Sequence, residues 1–586
     1  MKDFFKFTFA SMLGIVLAGI VFTILGIVTM VGMIASSDTE TTVKENSIFV
    51  LHLEGTLSER VKDNPFQSLL GENMQAYGLD EILSSIQKAK ENENIRGIYL
   101  QTGFLETSFA SLEEIRHALK GFKESGKFLV AYADQYDQGM YYLASVADQV
   151  IVNPQGSISW HGLASQPIFY KDLLKKVGVE MQIFKVGTYK SAVEPFIATE
   201  MSDANREQVT AFLQSIWNRL LEDVSASRNL PIATLNQYAN DMMDLQPAAT
   251  YTATGLADTL MYKDQVLDYL KELSGREEDE SLRTLSLADM KNVKRNVPLD
   301  KSGNIIAVYY AFGGIDDSTS PEEGIQSEKV IKDLRQLRED ETIQAVVLRV
   351  NSPGGSAYGS EQIWREVVLL KEKKPVIVSM GDYAASGGYY ISCAADSIVA
   401  DPTTLTGSIG IFGMFPNMEG LLTDKLGLHF DMVKTNPFAD MGDLTRPFND
   451  AEKAAMQQHI NNGYKLFVQR CADGRGMSVE AIEKIAEGRV WTGATAKELG
   501  LVDELGGLER ALEIAAEKAG VDTYSIIRYP DETGFFSSLM NEGKDQYIHG
   551  KLEEAWGEPY HYLQFMKNLK DMDRIQARLP FDLRIQ

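Results

Sequence analysis

Apolar runs rich in β-branched residues alternate along the chain with segments whose apolar positions recur at helical spacing. The runs at 95–100 and 343–348 each precede a loop and then a helical pattern, at 112–119 and 361–369 respectively. Alternation of this kind is typical of βαβ units in a mostly parallel sheet. The pattern therefore predicts an α/β protein.

These runs belong to a longer internal repeat, which fixes the organisation of the chain. Four pairs of segments match in the same order at a nearly constant offset: Tyr141-Tyr142 with Tyr389-Tyr390, Ala147-Asp148 with Ala395-Asp396, Gly156-Ser157-Ile158 with Gly407-Ser408-Ile409, and 255–258 with 500–503. We interpret them as two homologous α/β halves, residues 47–275 and 301–525. The charged stretch between them, residues 276–300, is predicted to be a linker. The tail, residues 526–586, has amphipathic stretches typical of contact with a neighbouring segment or another subunit.

A continuous apolar segment precedes the two halves. No charged residue lies between Lys6 and Asp38, and residues 9–35 are nearly all apolar. About 20 such residues span a bilayer, and the segment lacks the clean small-residue cleavage site of a signal peptide. It is therefore predicted to be a retained transmembrane anchor. Because Lys2 and Lys6 precede it, the positive-inside rule places residues 1–8 in the cytoplasm and the two halves outside.

Composition and charge exclude some classes of partner. The 586-residue chain is 44% hydrophobic and 24% charged, which is typical of a folded protein. Its net charge of −25 argues against nucleic acid as a partner. Two cysteines, Cys393 and Cys471, are too few for a disulfide framework, and no CxxC spacing indicates a metal site. Neither a metal nor another cofactor is expected.

Two glycine-rich loops in the second half carry the candidate chemistry. Residues 349–356 (RVNSPGGS) follow a predicted strand, and residues 381–389 (GDYAASGGY) join a strand to a helix. In the second loop Ser386 would present its hydroxyl at a helix N-terminus beside the amide of Gly387, where backbone amides stabilise a developing oxyanion. A phosphate-binding turn or a tight strand–helix junction would give the same pattern.

The repeat weakens the purely structural explanations of these loops. Ser386 aligns with Gln138, and Gly354-Gly355 aligns with Glu106-Thr107. The first half therefore keeps the scaffold without the hydroxyl or the double glycine. This difference favours a chemical role for both features in the second half.

A serine nucleophile needs a base that takes its proton. The chain has seven histidines, none of them in either loop, and the nearest rival base is His161, in the segment Ser159-Trp160-His161-Gly162. A lysine can serve instead if burial lowers its pKa from about 10.4 toward the working pH. The residues alone do not single out one lysine.

Four motifs together resemble one bacterial family. They are KVGTYKSAVEPF at 185–196, VNSPGG at 350–355, AASGGY at 384–389 and LTGSIGIFG at 405–413. Their combination, which covers roughly residues 45–525, is similar to the long form of signal peptide peptidase A, the protease IV family. The resemblance implies a Ser/Lys serine protease, with two tandem ClpP/crotonase-like repeats behind one N-terminal transmembrane helix.

The same resemblance implies a role for individual residues. Ser386, in the Ala-Ser-Gly-Gly motif, would be the nucleophile, and Lys190, in the Tyr-Lys-Ser-Ala-Val-Glu-Pro motif, would be the general base. Gly355 and Gly387 would supply the oxyanion-hole amides. Ser408, in the Gly-Ser-Ile-Gly motif, is a candidate for orienting the lysine amine. One half would then supply the base and the other the nucleophile, which explains why the halves are fused.

The resemblance also implies substrates, an assembly and a location. The substrates would be cleaved signal peptides and other unfolded peptides at the outer, periplasmic face of the cytoplasmic membrane. The subunits would assemble as a homotetramer around an enclosed chamber. Two alternatives remain open. An acyl-CoA enzyme of crotonase type would use similar glycine-rich loops, although it leaves the motif of Lys190 and the anchor unexplained. A catalytically degenerate membrane scaffold has a precedent in the first half.

Overall fold

The computed structural model of the protein describes residues 6–8, 12–14, 17–19, 21, 40–61, 76–295, 302–317, 324–530 and 575–579. Most of the predicted anchor, residues 9–35, lies outside this set, as do residues 531–574 and 580–586 of the tail. Within the described part of the chain, no helix is both long enough and apolar enough to cross a membrane.

The first half is built on a seven-stranded sheet with helices packed against it. Its strand order is β2-β1-β3-β4-β5-β7, β8 pairs with the first three residues of β1, and the pairs are parallel. The strands of the first half, of which β6 lies in another sheet, are β1 (Ser47–Ser58), β2 (Ala76–Gly78), β3 (Ile95–Glu106), β4 (Phe128–Tyr136), β5 (Gln149–Ile158), β6 (Glu180–Lys185), β7 (Thr259–Leu260) and β8 (Arg283–Leu285). The helices are α1 (Leu79–Glu91), α2 (Phe109–Lys123), α3 (Gln138–Ala144), α4 (Lys171–Val177), α5 (Glu194–Ile197), α6 (Asp203–Arg228), α7 (Ile232–Asn240), α8 (Ala248–Ala253), α9 (Lys263–Ser274) and α10 (Leu287–Lys291).

The second half repeats this plan with an eight-stranded sheet in the order β18-β16-β14-β12-β9-β20, in which β15 joins β14 to β19. The strands of the second half, of which β10, β11, β13 and β17 lie in another sheet, are β9 (Ile305–Phe312), β10 (Ile315–Asp316), β11 (Ile325–Gln326), β12 (Ile343–Ser352), β13 (Gly354–Ser356), β14 (Val376–Ala385), β15 (Ser397–Ala400), β16 (Leu405–Gly407), β17 (Phe412–Asn417), β18 (Val490–Thr492), β19 (Glu504–Leu505) and β20 (Ser525–Tyr529). Its helices are α11 (Ser327–Glu339), α12 (Ala357–Lys371), α13 (Gly387–Ser392), α14 (Asp450–Arg475), α15 (Val479–Ile485), α16 (Gly493–Glu498) and α17 (Leu508–Ala519). The prediction of a mostly parallel α/β fold is confirmed.

The central strands explain why this sequence folds into covered parallel sheets. In β12, the residues from Ala345 to Val350 form an uninterrupted buried run. A strand with buried side chains on both faces needs helices on both sides, and parallel connections supply them. The apolar side chains of β12 divide between two buried clusters, one of which also contains residues of α17.

Equivalent hydrogen bonds mark the repeat in three dimensions. Arg228 binds Asp258 through both guanidinium NH groups, and Arg475 binds Asp503 in the same way. Asp258 accepts a hydrogen bond from the amide of Val150, as Asp503 does from the amide of Ile398. These contacts support the prediction of two homologous halves.

A third, six-stranded sheet joins the halves in the order β11-β10-β13-β21-β17-β6. In this sheet β6 of the first half pairs antiparallel with β17 of the second, from Lys185 opposite Phe412 to Glu180 opposite Asn417. Strand β21 (Ile575–Arg578), from the tail, lies between β13 and β17. This sheet brings the motif that follows β6 next to the loops of the second half.

Two segments contribute more to the fold than the sequence indicates. Strand β8, inside the predicted linker 276–300, pairs with β1, and the side chain of Met290 in the following helix is fully buried. This part of the segment therefore belongs to the first half. Strand β20, which begins at the predicted end of the second half, pairs along its whole length with β9.

A buried ion-pair cluster crosses between the halves. Arg349, in β12, binds Glu59 at 2.9 Å and 3.0 Å and also contacts Glu114 of α2. The three side chains are 1%, 4% and 5% exposed. Burial raises the pKa of Glu59, and the guanidinium of Arg349 opposes that shift. The arginine thus neutralises two carboxylates that water cannot reach.

Replacing Arg349 with alanine should lower the free energy of unfolding by about 3–5 kcal/mol, because it leaves two buried carboxylates without a counterion. Thermal or urea unfolding of the full chain measures this loss. The matched control is Arg510→Ala, since Arg510 makes ion pairs with three half- or fully exposed glutamates. That change should cost less than about 1 kcal/mol. Equal effects of the two substitutions would contradict the structural role of Arg349.

Candidate active site

Ser386 lies on the sharp turn between β14 and α13 and has an unusual backbone conformation. Its φ is 54° and its ψ is −111°, in a region that costs a non-glycine residue roughly 1–3 kcal/mol. The amide of Ser386 donates to Gly407 O at 2.8 Å, which helps to hold the turn. A strained turn of this kind between strand and helix presents a hydroxyl for reaction, as in the nucleophile elbow of other hydrolases.

Lys190 reaches this turn from the other half of the chain. It follows β6, whose pairing with β17 carries the lysine motif across to the second half. The Nζ atom of Lys190 lies 2.8 Å from Ser386 Oγ. Both residues have no exposed surface. The structure therefore brings together the two residues that the motifs suggest for catalysis.

The surroundings of Lys190 lower its pKa. The pKa of the Lys190 amine falls well below the ordinary value for lysine, and burial is the cause. Two glycines allow the close packing around the lysine stem. A side-chain carbon added at Gly488 would lie 2.6 Å from Lys190 Cβ, and one at Gly410 would lie 3.2 Å from its Cδ. These glycines were not singled out from the sequence.

Ser408 contacts the same amine from a second strained position. Its φ is 48°, and its amide donates to Arg489 O at 2.7 Å. The carbonyl oxygen and the hydroxyl of Ser408 each lie 3.1 Å from Lys190 Nζ. Ser386 Oγ also lies 3.3 Å from Gly410 O. The amine is thus surrounded by three oxygen atoms from two serines.

The two glycines expected to form an oxyanion hole lie on separate elements close to Ser386. Gly387 directly follows Ser386 as the first residue of α13. Gly355 lies in β13, and its neighbour Gly354 approaches the turn closely. A side-chain carbon added at Gly354 would lie 2.8 Å from the amide nitrogen of Gly387. This proximity explains why the loop needs glycine at that position.

The rival base His161 is exposed and lies in the first half. Its backbone amide and that of Gly162 both donate to Gln138 Oε1 at 3.0 Å. Gln138 is the counterpart of Ser386 in the repeat, so the first half has a hydrogen-bonded carboxamide where the second half has the serine hydroxyl. His161 therefore contributes a backbone amide to this contact.

A second layer of polar residues holds the lysine motif in place. Gln208, on α6, donates to Tyr189 O and to Ser191 Oγ, both at 3.0 Å, and accepts from the amide of Val490 at 3.2 Å. The motif carboxylate Glu194 binds the amide and hydroxyl of Ser202. Nothing in the sequence pattern distinguishes Gln208 from the other polar residues of its helix. Its fully buried position became apparent only in the structure.

Metal-ligating side chains do not gather at this site. Among the described residues, no group of three or more His, Cys, Asp or Glu is placed to hold a metal ion. Cys393 and Cys471 are buried, free thiols. The chemistry available at the site comes from the serine hydroxyl, the lysine amine and the backbone amides.

A serine and a desolvated lysine in hydrogen-bond contact on a two-fold α/β repeat characterise one class of hydrolase. The profile of Peptidase family S49 matches the chain twice, at residues 121–277 and 368–522. The chain belongs to this family. It is a serine protease with two S49 repeats.

Named relatives align over most of the chain. It is 38% identical to Protease 4 of Salmonella typhi over 509 residues, which cover 84% of this chain and 81% of that protein. It is 34% identical to Protease 4 of Haemophilus influenzae over 551 residues, or 89% and 88% of the two chains. It is 33% identical to the chloroplastic serine protease SPPA of Arabidopsis thaliana over 485 residues, or 82% and 70%. The resemblance to protease IV is confirmed.

A solved ClpP1 chain from Listeria monocytogenes aligns with 18% identity and a TM-score of 0.24, over 35% of this chain and 94% of that one. This similarity is too low to compare the folds, so the ClpP/crotonase-like character of each half stays a prediction. Membership of a peptidase family argues against the acyl-CoA enzyme, and the 2.8 Å contact between Lys190 Nζ and Ser386 Oγ argues against the inactive scaffold.

Proposed function

We propose that the chain is a membrane-anchored endopeptidase that degrades cleaved signal peptides and other unfolded peptides at the outer face of the cytoplasmic membrane. Ser386 is its nucleophile and Lys190 its general base. The observation that carries the proposal is the 2.8 Å contact between Lys190 Nζ and Ser386 Oγ in a site that excludes water. The substrate class and the homotetramer follow from the resemblance of the motifs, and the anchor follows from the apolar segment 9–35.

The protonation state of Lys190 is central to this mechanism. A neutral amine has two N–H donors and one lone pair. Ser408 supplies two acceptors, its carbonyl and hydroxyl oxygens, each 3.1 Å from Nζ. The lone pair is then left to accept the proton of Ser386. The neutral amine satisfies these contacts with two donors and one acceptor, and burial favours that form over the charged one. The contacts also support Ser408 as the residue that orients the base.

The reaction follows from these contacts. Lys190 takes the proton of Ser386 as Oγ attacks the peptide carbonyl, and the amides of Gly355 and Gly387 stabilise the oxyanion. The protonated lysine then gives its proton to the leaving amine, so the peptide bond breaks and an acyl-enzyme remains. Water attacks the acyl-enzyme with Lys190 again as the base. The second product leaves with a free carboxyl group, and Ser386 regains its proton.

Membrane vesicles of defined orientation test the substrate, the anchor and the topology together. Right-side-out vesicles that contain the full chain should hydrolyse an externally added, quenched fluorescent signal peptide. Inverted vesicles should do so only after detergent opens them. A folded reporter protein should stay intact in both preparations. Vesicles that carry Ser386→Ala provide the matched control.

Each outcome of this experiment bears on a separate part of the proposal. Activity in inverted but not right-side-out vesicles would overturn the topology. Activity that stays in the supernatant after the membranes are sedimented would overturn the anchor. Equal cleavage of the folded reporter and the peptide would overturn the preference for unfolded substrates.

A further inference from the structure

Strand β21 of the tail lies in the place where an extended peptide would have to bind. It pairs antiparallel with β13 on one side, with Ala577 opposite Gly355 and Arg578 opposite Gly354. It pairs antiparallel with β17 on the other side, with Gln576 opposite Phe412. Strand β13 thus contains Gly355, and strand β17 follows the segment that contacts Lys190.

The register of the strand puts a tail carbonyl at the proposed oxyanion donors. Leu579 N donates to Pro353 O at 2.6 Å. Hydrogen-bonded and non-hydrogen-bonded pairs alternate along an antiparallel ladder, so Ala577 and Gly355, two residues further on, form a hydrogen-bonded pair. We infer from this alternation that the amide of Gly355 donates to the carbonyl of Ala577.

The same carbonyl is also close to the residue that follows the nucleophile. A side-chain carbon added at Gly354 would lie 2.0 Å from Ala577 O and 2.8 Å from Gly387 N. One added at Gly387 would lie 3.0 Å from Ala577 O. The carbonyl of Ala577 therefore stands where the carbonyl of a bound peptide would meet the two amides.

The burial of the strand and of the two site residues shows how β21 limits the access of a peptide to Ser386. Ala577 is 0% and Leu579 3% exposed, and Leu579 packs in a cluster with Ala385 and Leu405. Ser386 and Lys190 are themselves fully buried with the strand in place. Both backbone edges that a substrate could use for strand addition are already paired with β21. A substrate must displace the strand before it can reach Ser386.

We propose that residues 575–579 are an internal competitor that occupies the peptide-binding cleft between β13 and β17. Substrates bind there as an extended strand in its place. The proposal rests on the catalytic role of Ser386 proposed above. It predicts that the free chain is largely closed to substrate, and that the apparent KM is raised by the small fraction of open molecules.

Opening the cleft should increase activity. Deletion of residues 575–586, or Ala577→Trp, which places a large side chain where none fits, should raise kcat/KM for a short fluorogenic peptide at least about tenfold, mainly through KM. Arg510→Ala, which removes only ion pairs to half- or fully exposed glutamates outside the cleft, should leave kcat/KM unchanged. The free peptide Ile-Gln-Ala-Arg-Leu should inhibit the truncated enzyme competitively, and a scrambled peptide should not.

A reversible lock tests the same idea without removing the buried strand. Ser356→Cys combined with Gln576→Cys places two thiols on a directly opposed pair of the ladder. Oxidation of this variant should lower its activity at least tenfold, and reduction should restore it, while the wild-type chain responds to neither treatment.

The outcomes separate this proposal from the one on which it rests. If folded opened variants show unchanged or lower activity, or if the oxidised lock stays fully active, the strand is not a competitor. If the activity gained on opening persists when Ser386→Ala is added, the proposed nucleophile is wrong. Thermal melting of each variant identifies any that has not folded. If the opened variants do not fold, the activity of the oxidised and reduced cysteine variant tests the proposal.

Discussion

Replacing either Ser386 or Lys190 with alanine should lower kcat/KM for peptide hydrolysis by at least about 10³-fold. Ser386→Ala removes the hydroxyl oxygen that forms the acyl-enzyme in the proposed mechanism. Lys190→Ala removes the group that lies 2.8 Å from that atom and is its proposed proton acceptor. The measurement is steady-state hydrolysis of a short fluorogenic peptide by the full chain in detergent.

The double variant is the more selective part of this test. Residues that act as one unit are not additive, so Ser386→Ala with Lys190→Ala should be no less active than either single variant. His161→Ala is the matched control, because His161 is the rival base and is exposed away from the buried pair. It should keep nearly full activity. Near-normal hydrolysis by Lys190→Ala would rule out the lysine as the base.

The sequence predicts the local features of this site well. Ser386 follows an apolar strand and precedes a short helix, and the two glycines directly after it indicate a tight junction. The repeat adds contrast, since Gln138 occupies the matching position and accepts hydrogen bonds instead. Such features depend on a few consecutive residues, so they can be recognised without knowledge of the fold.

The approach of the base could not be predicted from the residues alone. It requires β6 to leave the first half and pair with β17 of the second, and no local pattern indicates a pairing over such a sequence distance. The burial that lowers the pKa of Lys190 is likewise a property of the assembled fold. Only the resemblance of the motif singled out this lysine among the others.

The tail and the inter-half charges show the same limit. Strand β21 has four residues, which is too short for a periodic pattern to indicate its pairing. Glu59 and Glu114 look like ordinary surface carboxylates in the sequence. The structure buries both against Arg349 because that arginine projects from the opposing half.

The pH dependence of hydrolysis should show a base whose pKa is far below that of free lysine. The protonated form of Lys190 cannot accept a proton, so kcat/KM should fall about tenfold for each pH unit below the pKa of Lys190 and level off above it. Burial disfavours the charged amine and lowers this pKa. The ascending limb should therefore lie well below the ordinary lysine value of about 10.4.

The position of this limb distinguishes the two bases. A histidine would place the limb near pH 6.5, about the ordinary value for its side chain. The profile is measured at constant ionic strength for the wild-type chain and for His161→Ala, and the two profiles should coincide because His161 plays no part in the proton transfer. A limb near the histidine value that disappears in His161→Ala would assign the base to His161. A limb at the ordinary lysine value would contradict the desolvation of Lys190, since a desolvated amine loses its proton at a lower pH than free lysine does.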